Sequence, residues 1–312
     1  MLEEKPSAAG RNPQPGSQRG HNTRAESTRP VTDGWKRRLY VRAAVSYRRM
    51  RNGLSGARSS LSPADRRHRT EVRGQIEEAR SRIETIRGGR DVCWTDEEEV
   101  NPLVTIRIPC YDRGALVAER AIASALAQTY LNIEVLVVGD GATPETVAAV
   151  ESVRDPRVRF VNLPRTAYPE DPERRWMVVG YGPMNYALDE ARGAWITPLD
   201  DDDEYTPDHV EVLLRAAIER RLEFVYGQTE VVGPDGASRI VGRWPPREGA
   251  FTNGALLYST RLRFLKYDPE SWRDRLPADW NLWRRMIAAG VKIGFVEHVV
   301  YRYFPATHHV PL

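Results

Sequence analysis

The sequence predicts an α/β fold, with a mostly parallel central sheet flanked by helices and a helical extension ahead of it. Three observations carry this. From Pro102 onward, short apolar runs alternate with segments of helical periodicity, the pattern of strand–helix–strand units whose strands lie parallel. Polar residues gather where those runs end, and ligands of open parallel sheets bind beyond the carboxyl ends of the strands. Before Pro102 the texture differs: residues 1–90 hold 19 Arg and 2 Lys against 9 acidic residues, a surplus of +12 in a chain whose total is +3.

The elements follow in order. Residues 1–34 are rich in Pro, Gly, Ser, Asn and Arg and almost lack large apolar groups, which predicts a disordered basic tail. Residues 35–95 read as a basic helical extension. Trp35, Leu39, Ala43, Tyr47 and Met50 recur at spacings of three and four among arginines, a basic amphipathic helix suited to an anionic surface or to packing on the main domain. After a Gly/Ser break, Ser62-Pro63 supplies an N-cap with proline at the first helical position. Val72, Ile76, Ala79, Ile83 and Ile86 then line one narrow seam, and Gly88-Gly89 ends it. Such a seam serves a homodimer or the chain's own body equally well.

The main domain, residues 100–312, opens with a strand over Leu103–Pro109 and a helix over Gly114–Gln128. Strands follow at Ile133–Val138, Arg157–Leu163, Ala194–Leu199 and Phe224–Val232. Helices lie at Pro144–Ser152, Pro183–Ala191 and Pro207–Arg220, and Gly233-Pro234-Asp235-Gly236 makes a turn.

Composition excludes several classes. An apolar share of 41% with 29% charged residues is that of a soluble globular protein. No stretch nears the roughly 18 apolar residues of a membrane span. The N-terminal residues lack the apolar core of a secretory signal, and two cysteines make neither a disulfide framework nor a four-thiolate zinc site. A cytoplasmic location is the expectation, with the basic arm able to reach a membrane surface or another polyanion. Neither zinc-finger spacing nor a helix-turn-helix accompanies the arginines, so no sequence-specific nucleic acid is expected.

Three strand ends carry the chemistry. The first delivers Pro109, Cys110, Tyr111, Asp112 and Arg113; the second delivers Gly139, Asp140 and Gly141. The strand ending at Leu199 runs into Asp200-Asp201-Asp202-Asp203-Glu204. Five consecutive carboxylates repel one another, which points to a cation, and hard oxygen donors indicate Mg²⁺, Mn²⁺ or Ca²⁺. A calcium loop is rejected because Tyr205 stands where the tight turn needs glycine and Pro207 intrudes. A phosphatase-type aspartyl nucleophile fits poorly, since Glu204 stands where Thr or Val is wanted.

Four segments in this order resemble the family 2 glycosyltransferases of the nucleotide-diphospho-sugar transferase (GT-A) fold: VTIRIPCYDRGALVAERAIASALAQTY, IEVLVVGDGATPET, GPMNYALDEARGAWITPLDDDDEYTPDHVE and LPADWNLWRRMIAAG. The resemblance covers about residues 102–304. It implies a nucleotide-binding half over about 102–232 and an acceptor-binding half over about 233–312. The Trp-, Arg- and Phe-rich segment from Gly242 to Leu276 would then supply the acceptor surface, and Trp244, Trp272, Trp280 and Trp283 would offer flat faces for sugar rings. Pro109, Tyr111 and Asp112 would border the nucleotide, and Asp140 would accept a hydrogen bond from the base. Asp200 and Asp201 would hold the ribose and sugar side. Asp202 would bind a divalent cation, Mn²⁺ or Mg²⁺, that bridges the diphosphate. Asp279 would be the general base toward an acceptor hydroxyl of unknown identity, giving transfer with inversion. Asp203 and Glu204 read as spare carboxylates or helix N-terminal charges, and His308 and His309 as a solvated tail. Gly139, Met184 and Ala278 depart from the family pattern, which usually has Asp, Arg and Glu there. A nucleotidyltransferase would need a Gly-rich basic loop after the first strand, which Cys110-Tyr111-Asp112-Arg113 is not. A non-catalytic protein on the same fold would have lost the acidic cluster or Asp279; both are present.

Overall fold

The computed structural model describes residues 62–88 and 100–305. The expected basic tail, the Trp35–Met50 helix, His308 and His309 lie outside the described residues.

Helix α1 spans Pro63–Gly88. Its cap is the expected one: the Ser62 hydroxyl accepts from Asp65 N–H at 3.1 Å and donates to the Asp65 carboxylate at 2.7 Å. Val72, Ala79 and Ile83 are buried, and Ala79 and Ile83 join a core cluster with Leu188, Leu282 and Trp283. The seam therefore packs on the chain's own body. Arg87 locks the helix end with two hydrogen bonds to the Glu223 carboxylate, at 2.8 and 2.6 Å, and Arg80 reaches the Ala288 carbonyl at 3.0 Å.

The sheet is built from β1 (Val104–Cys110), β2 (Ile133–Asp140), β3 (Val158–Leu163), β4 (Trp195–Pro198), β5 (Glu204–Tyr205), β6 (Phe224–Val232), β7 (Ser238–Val241), β8 (Leu256–Ser259) and β9 (Ile293–Tyr303). Its order is β3-β2-β1-β4-β8-β6-β9-β5, with β7 on β6. The first four strands are parallel neighbours. Beyond β4 the sheet is mixed, with β8 antiparallel to both β4 and β6 and β9 parallel to β6. Every residue of β2 is buried, as expected of a parallel strand covered on both faces.

The helices are α2, which starts as a π-helical stretch over Val117–Ile122 and continues over Ala123–Leu126, then α3 (Pro144–Ser152), α4 (Pro172–Val178), α5 (Tyr181–Glu190), α6 (His209–Glu219) and α7 (Ala278–Ala288). All five expected strands are present. The sequence reading did not separate out β5, β7, β8, β9 or α4. Four-residue strands such as β8 carry no readable alternation, and the pairing of β9 on β6 shifts register between Tyr226 and Thr229.

Candidate active site

Strands β1, β2 and β4 end side by side, with Cys110 paired to Gly139 and Arg107 to Pro198. The residues that follow them meet over the open edge of the parallel half. All eight residues singled out in the sequence, Pro109, Tyr111, Asp112, Asp140, Asp200, Asp201, Asp202 and Asp279, line one cleft of about 270 Å³. They come from four stretches separated by tens of residues, and the topology brings them together.

The acidic turn is held from several sides. Tyr205 donates to the Pro198 carbonyl at 2.7 Å and lies 2.8 Å from the Thr197 hydroxyl, so the two ends of the turn are pinned to each other. His209 stacks on Tyr205 at 3.6 Å and faces Thr197 Oγ1 at 2.8 Å. Asp203 is fully buried; it accepts from Tyr301 Oη at 2.6 Å and Phe304 N–H at 2.7 Å. Glu204 pairs with Arg302 at 3.0 Å. These two carboxylates are ties to β9 rather than the spare charges expected of them.

The chain also supplies its own counter-charge. Arg113 Nε lies 3.1 Å from Asp201 Oδ1 and Nη2 lies 2.9 Å from Asp202 Oδ2. Arg120 donates to the Asp202 carbonyl at 2.7 Å. The repulsion that called for a cation in the sequence is therefore partly met by arginine. Arg113 carried no role in the sequence reading; its place beside Asp112 at a strand end was the available signal.

At the other end of the cleft Asp140 is committed to its own protein. Its oxygens accept from Thr166 N–H at 2.8 Å, Thr166 Oγ1 at 2.6 Å, Tyr168 Oη at 2.5 Å and Arg165 Nη1 at 3.0 Å. Four donors use the capacity of a carboxylate, so in this structure Asp140 shapes the 165–168 segment and offers no spare acceptor to a base. Arg165 stacks on Tyr111, its guanidinium 3.6 Å from the ring centroid. Gly139 has a local reason: a Cβ there would sit 2.3 Å from Asn162 Oδ1, which accepts from Ala142 N–H at 2.8 Å. Trp176, Met177 and Met184 add an apolar wall to the cleft. Trp176 escaped the sequence reading because α4 (PERRWMV) has only seven residues, three of them charged, too few to show a helical period.

Asp279 stands in the first turn of α7, whose cap position is Pro277. Its Oδ1 accepts from Trp280 N–H at 2.7 Å. Its pKa is raised above the ordinary carboxylate value, chiefly by burial, while the Trp280 N–H and the field of Arg107 pull it back. Arg107 is fully buried, 5.1 Å from the Tyr267 ring centroid. Of the four tryptophans expected to stack sugars, Trp283 is core, Trp280 packs on Phe251, and Trp272 lies between Arg174 and Arg273. None of the four lines the cleft, and Trp244 is 55% exposed.

Hard carboxylate oxygens on a turn that already accommodates one positive group suit a divalent cation. On the cleft Asp200, Asp201 and Asp202 carry such oxygens, Asp200 held by Asn253 Nδ2 at 3.2 Å. Among the described residues no cluster of three or more His, Cys, Asp or Glu is preformed for a metal.

A sheet that is parallel over β3, β2, β1 and β4 and mixed beyond them, with an Asp-x-Asp turn over the cleft, has the architecture of the GT-A fold. Residues 105–169 and 180–270 match the sequence model of glycosyl transferase family 2, and the chain belongs to that family. It is similar to the succinoglycan biosynthesis protein ExoO of Rhizobium meliloti, 34% identical over 137 residues, which are 44% of this chain and 36% of that one. It is similar to the chondroitin synthase of Pasteurella multocida, 32% identical over 148 residues, 46% of this chain and 14% of that one. The matched stretch thus spans little more than a third of the first relative and far less of the second. The fold matches that of S. aureus TarS 1–349 in complex with UDP, with a TM-score of 0.50 at 17% identity, covering 64% of this chain and 60% of that one.

Proposed function

We propose that this chain is a glycosyltransferase that moves a sugar from a nucleotide-diphosphate sugar to an acceptor hydroxyl, by a metal-assisted single displacement with inversion. One observation supports it above the others: the acidic turn, the nucleotide-side residues and Asp279 share one cleft. The nucleotide side is the segment 102–232 and the acceptor side is 233–312. On that division Asn253, Pro277, Ala278 and Asp279 belong to the acceptor side of the cleft and the other lining residues to the nucleotide side.

Tyr111, Arg165 and the Trp176 wall bind and orient the nucleoside, with Asp140 setting the conformation of the 165–168 segment. Pro109 and Asp112 border it, and Asp200 and Asp201 face the ribose and sugar. Asp202, with Asp200 beside it, would hold Mn²⁺ or Mg²⁺, which neutralises charge developing on the leaving diphosphate. Asp279 takes the acceptor's proton. Its Oδ1 is occupied by the Trp280 N–H, so Oδ2 is the basic atom. Its raised pKa makes it a stronger base than an exposed aspartate. Attack from the Asp279 side, opposite the diphosphate, inverts the anomeric carbon.

No helix among the described residues is long and apolar enough to cross a membrane; membrane contact, if made, falls to the basic arm. The testing experiment is a melting-temperature panel of nucleoside diphosphates with Mn²⁺ or EDTA. A ligand that binds the native state raises the midpoint, and at least one nucleotide should do so more with Mn²⁺. Nucleotide binding without any metal increment overturns the metal role, and no nucleotide binding at all overturns the function.

A further inference from the structure

Arg113 sits where a metal-binding turn would leave room for its ion. Its guanidinium touches both Asp201 and Asp202, at 3.1 and 2.9 Å. The Arg113 side chain is 9% exposed and that of Asp202 1%. Water screens such a pair poorly, so its attraction is well above that of a surface ion pair. A divalent ion approaching the same oxygens meets a fixed positive charge and must displace it.

The backbone around this contact is held independently of it. Gly114, next in the chain, takes its left-handed turn at φ 54° and donates its N–H to Thr146 Oγ1 at 2.9 Å. The Asp202 carbonyl is held by Arg120, and Asp203 by Tyr301 and Phe304. The long side chain of Arg113 can therefore leave without moving the turn. Arg113 lines the cleft itself, so a diphosphate entering the cleft offers it a second anion. A guanidinium fork pairs with phosphate oxygens at least as well as with carboxylates.

We propose that Arg113 is a resident counter-cation of the acidic turn, which yields Asp202 to a divalent ion only when a nucleoside diphosphate draws the guanidinium away. Metal and nucleotide then bind as a coupled pair, and each tightens the other by the same factor. After exchange Arg113 lies on the diphosphate and adds its charge to the leaving group. This rests on the proposed metal-assisted reading of the cleft.

The test reads Mn²⁺ binding directly, from the paramagnetic resonance signal of free Mn²⁺, with and without the nucleoside diphosphate that stabilises the protein most. Wild type should bind Mn²⁺ about tenfold more tightly with nucleotide than without, within the usual range of such couplings. Arg113→Gln should bind Mn²⁺ alone about tenfold more tightly than wild type, with most of the coupling gone. Arg113→Lys keeps the charge and should resemble wild type. Circular dichroism checks that each variant is folded, and Arg113→Ala replaces the Gln variant if that one is not. Equal Mn²⁺ affinity of wild type and Arg113→Gln without nucleotide overturns this proposal and leaves the metal role standing. Nucleotide binding with no Mn²⁺ uptake by either protein overturns both.

Discussion

The hydroxyl of Tyr301, on the last strand, donates to Asp203 Oδ2 at 2.6 Å, across 98 residues of sequence. Both residues are fully buried. The contact makes β9 part of the candidate site although β9 lines none of the cleft. Asp203 then holds the backbone on which Asp200–Asp202 are presented.

Tyr301→Phe keeps the ring packing and removes that donor. A buried polar atom left without its partner costs about 1–3 kcal/mol, so the melting midpoint should fall by several degrees. Phe304 N–H still holds the other oxygen, so the fold should survive while nucleotide affinity weakens several-fold. Unchanged stability and unchanged nucleotide binding would show that β9 does not brace the turn.

Gly254→Ala tests the same brace by pressure instead of deletion. A Cβ at position 254 would lie 2.0 Å from Tyr301 Cζ and 2.6 Å from its hydroxyl, so the ring must move. Overpacking of this kind costs about 1–3 kcal/mol. Gly254→Ala in the Tyr301→Phe background should cost less than in wild type, because the hydrogen bond is already gone. Strict additivity in denaturant titrations would count against the coupling.

Much of this site was legible because it lies where apolar runs stop. Tyr111, Asp140 and Asp200 each follow a strand whose apolar residues are plain in the sequence, and parallel strands place their carboxyl ends together. Asp279 was legible only through a resemblance, since nothing in its spacing connects it to strands far earlier in the chain. What stayed hidden depends on side-chain reach. Five acids in a row announce a charge problem but not its solution, which is supplied by Arg113, Arg120 and Arg302 from elements up to a hundred residues away. Asp140 was assigned to a base because its free valence cannot be read from a Gly-Asp-Gly turn. Thr166 and Tyr168, which fill that valence, lie in an irregular segment without periodicity. Strands β5, β7 and β8 escaped because two to four residues are too few to alternate.

Acid should destabilise the protein through His209. Its Nδ1 faces the Val300 carbonyl at 2.9 Å, so that nitrogen carries the ring proton. Burial pushes its pKa down from 6.5 to about 3. Between those values the unfolded chain binds one proton more than the native state, so stability falls as pH falls. The slope from this residue approaches about 1.4 kcal/mol per pH unit. His209→Gln should lower stability at neutral pH yet flatten its dependence below about pH 6. An unchanged slope in urea titrations at stepped pH assigns the acid sensitivity to other groups.

The basic arm should prove separable from the fold. Helix α1 is docked by Arg87, Arg80 and its buried seam, all of which lie after residue 62. Deleting residues 1–61 should therefore leave the melting midpoint within a few degrees of wild type. Binding to anionic vesicles should fall steeply with salt in the full chain, because the Debye length shrinks to about 8 Å at physiological ionic strength. The deletion should abolish it. A truncated protein that unfolds would instead make the arm part of the packed body.

On the proposed reading, Asp279 is the residue on which the chemistry depends most. It opens a helix, and Oδ1 is already bonded to the Trp280 N–H, so the main alternative to catalysis is a structural role at the helix start. Asp279→Asn separates the two. The amide oxygen can still accept from Trp280 N–H, but the side chain can no longer take a proton from an acceptor hydroxyl. Turnover should fall by about a hundredfold or more, the usual scale for a lost general base. Nucleotide affinity and melting midpoint should stay close to wild type. The pH profile gives a second, independent reading. Burial holds the Asp279 pKa above that of an ordinary carboxylate, and only the ionised form is a base. Activity in wild type should therefore decline, as pH is lowered, at a value above the normal Asp range, and this limb should disappear from the residual activity of Asp279→Asn. Relieving the opposing field should move the limb further: Arg107→Met removes the buried cation that favours the ionised form, so the limb should shift upward in pH. If Asp279→Asn turns over normally, the base lies elsewhere. If the transferred sugar retains its anomeric configuration by NMR, the single displacement falls as well.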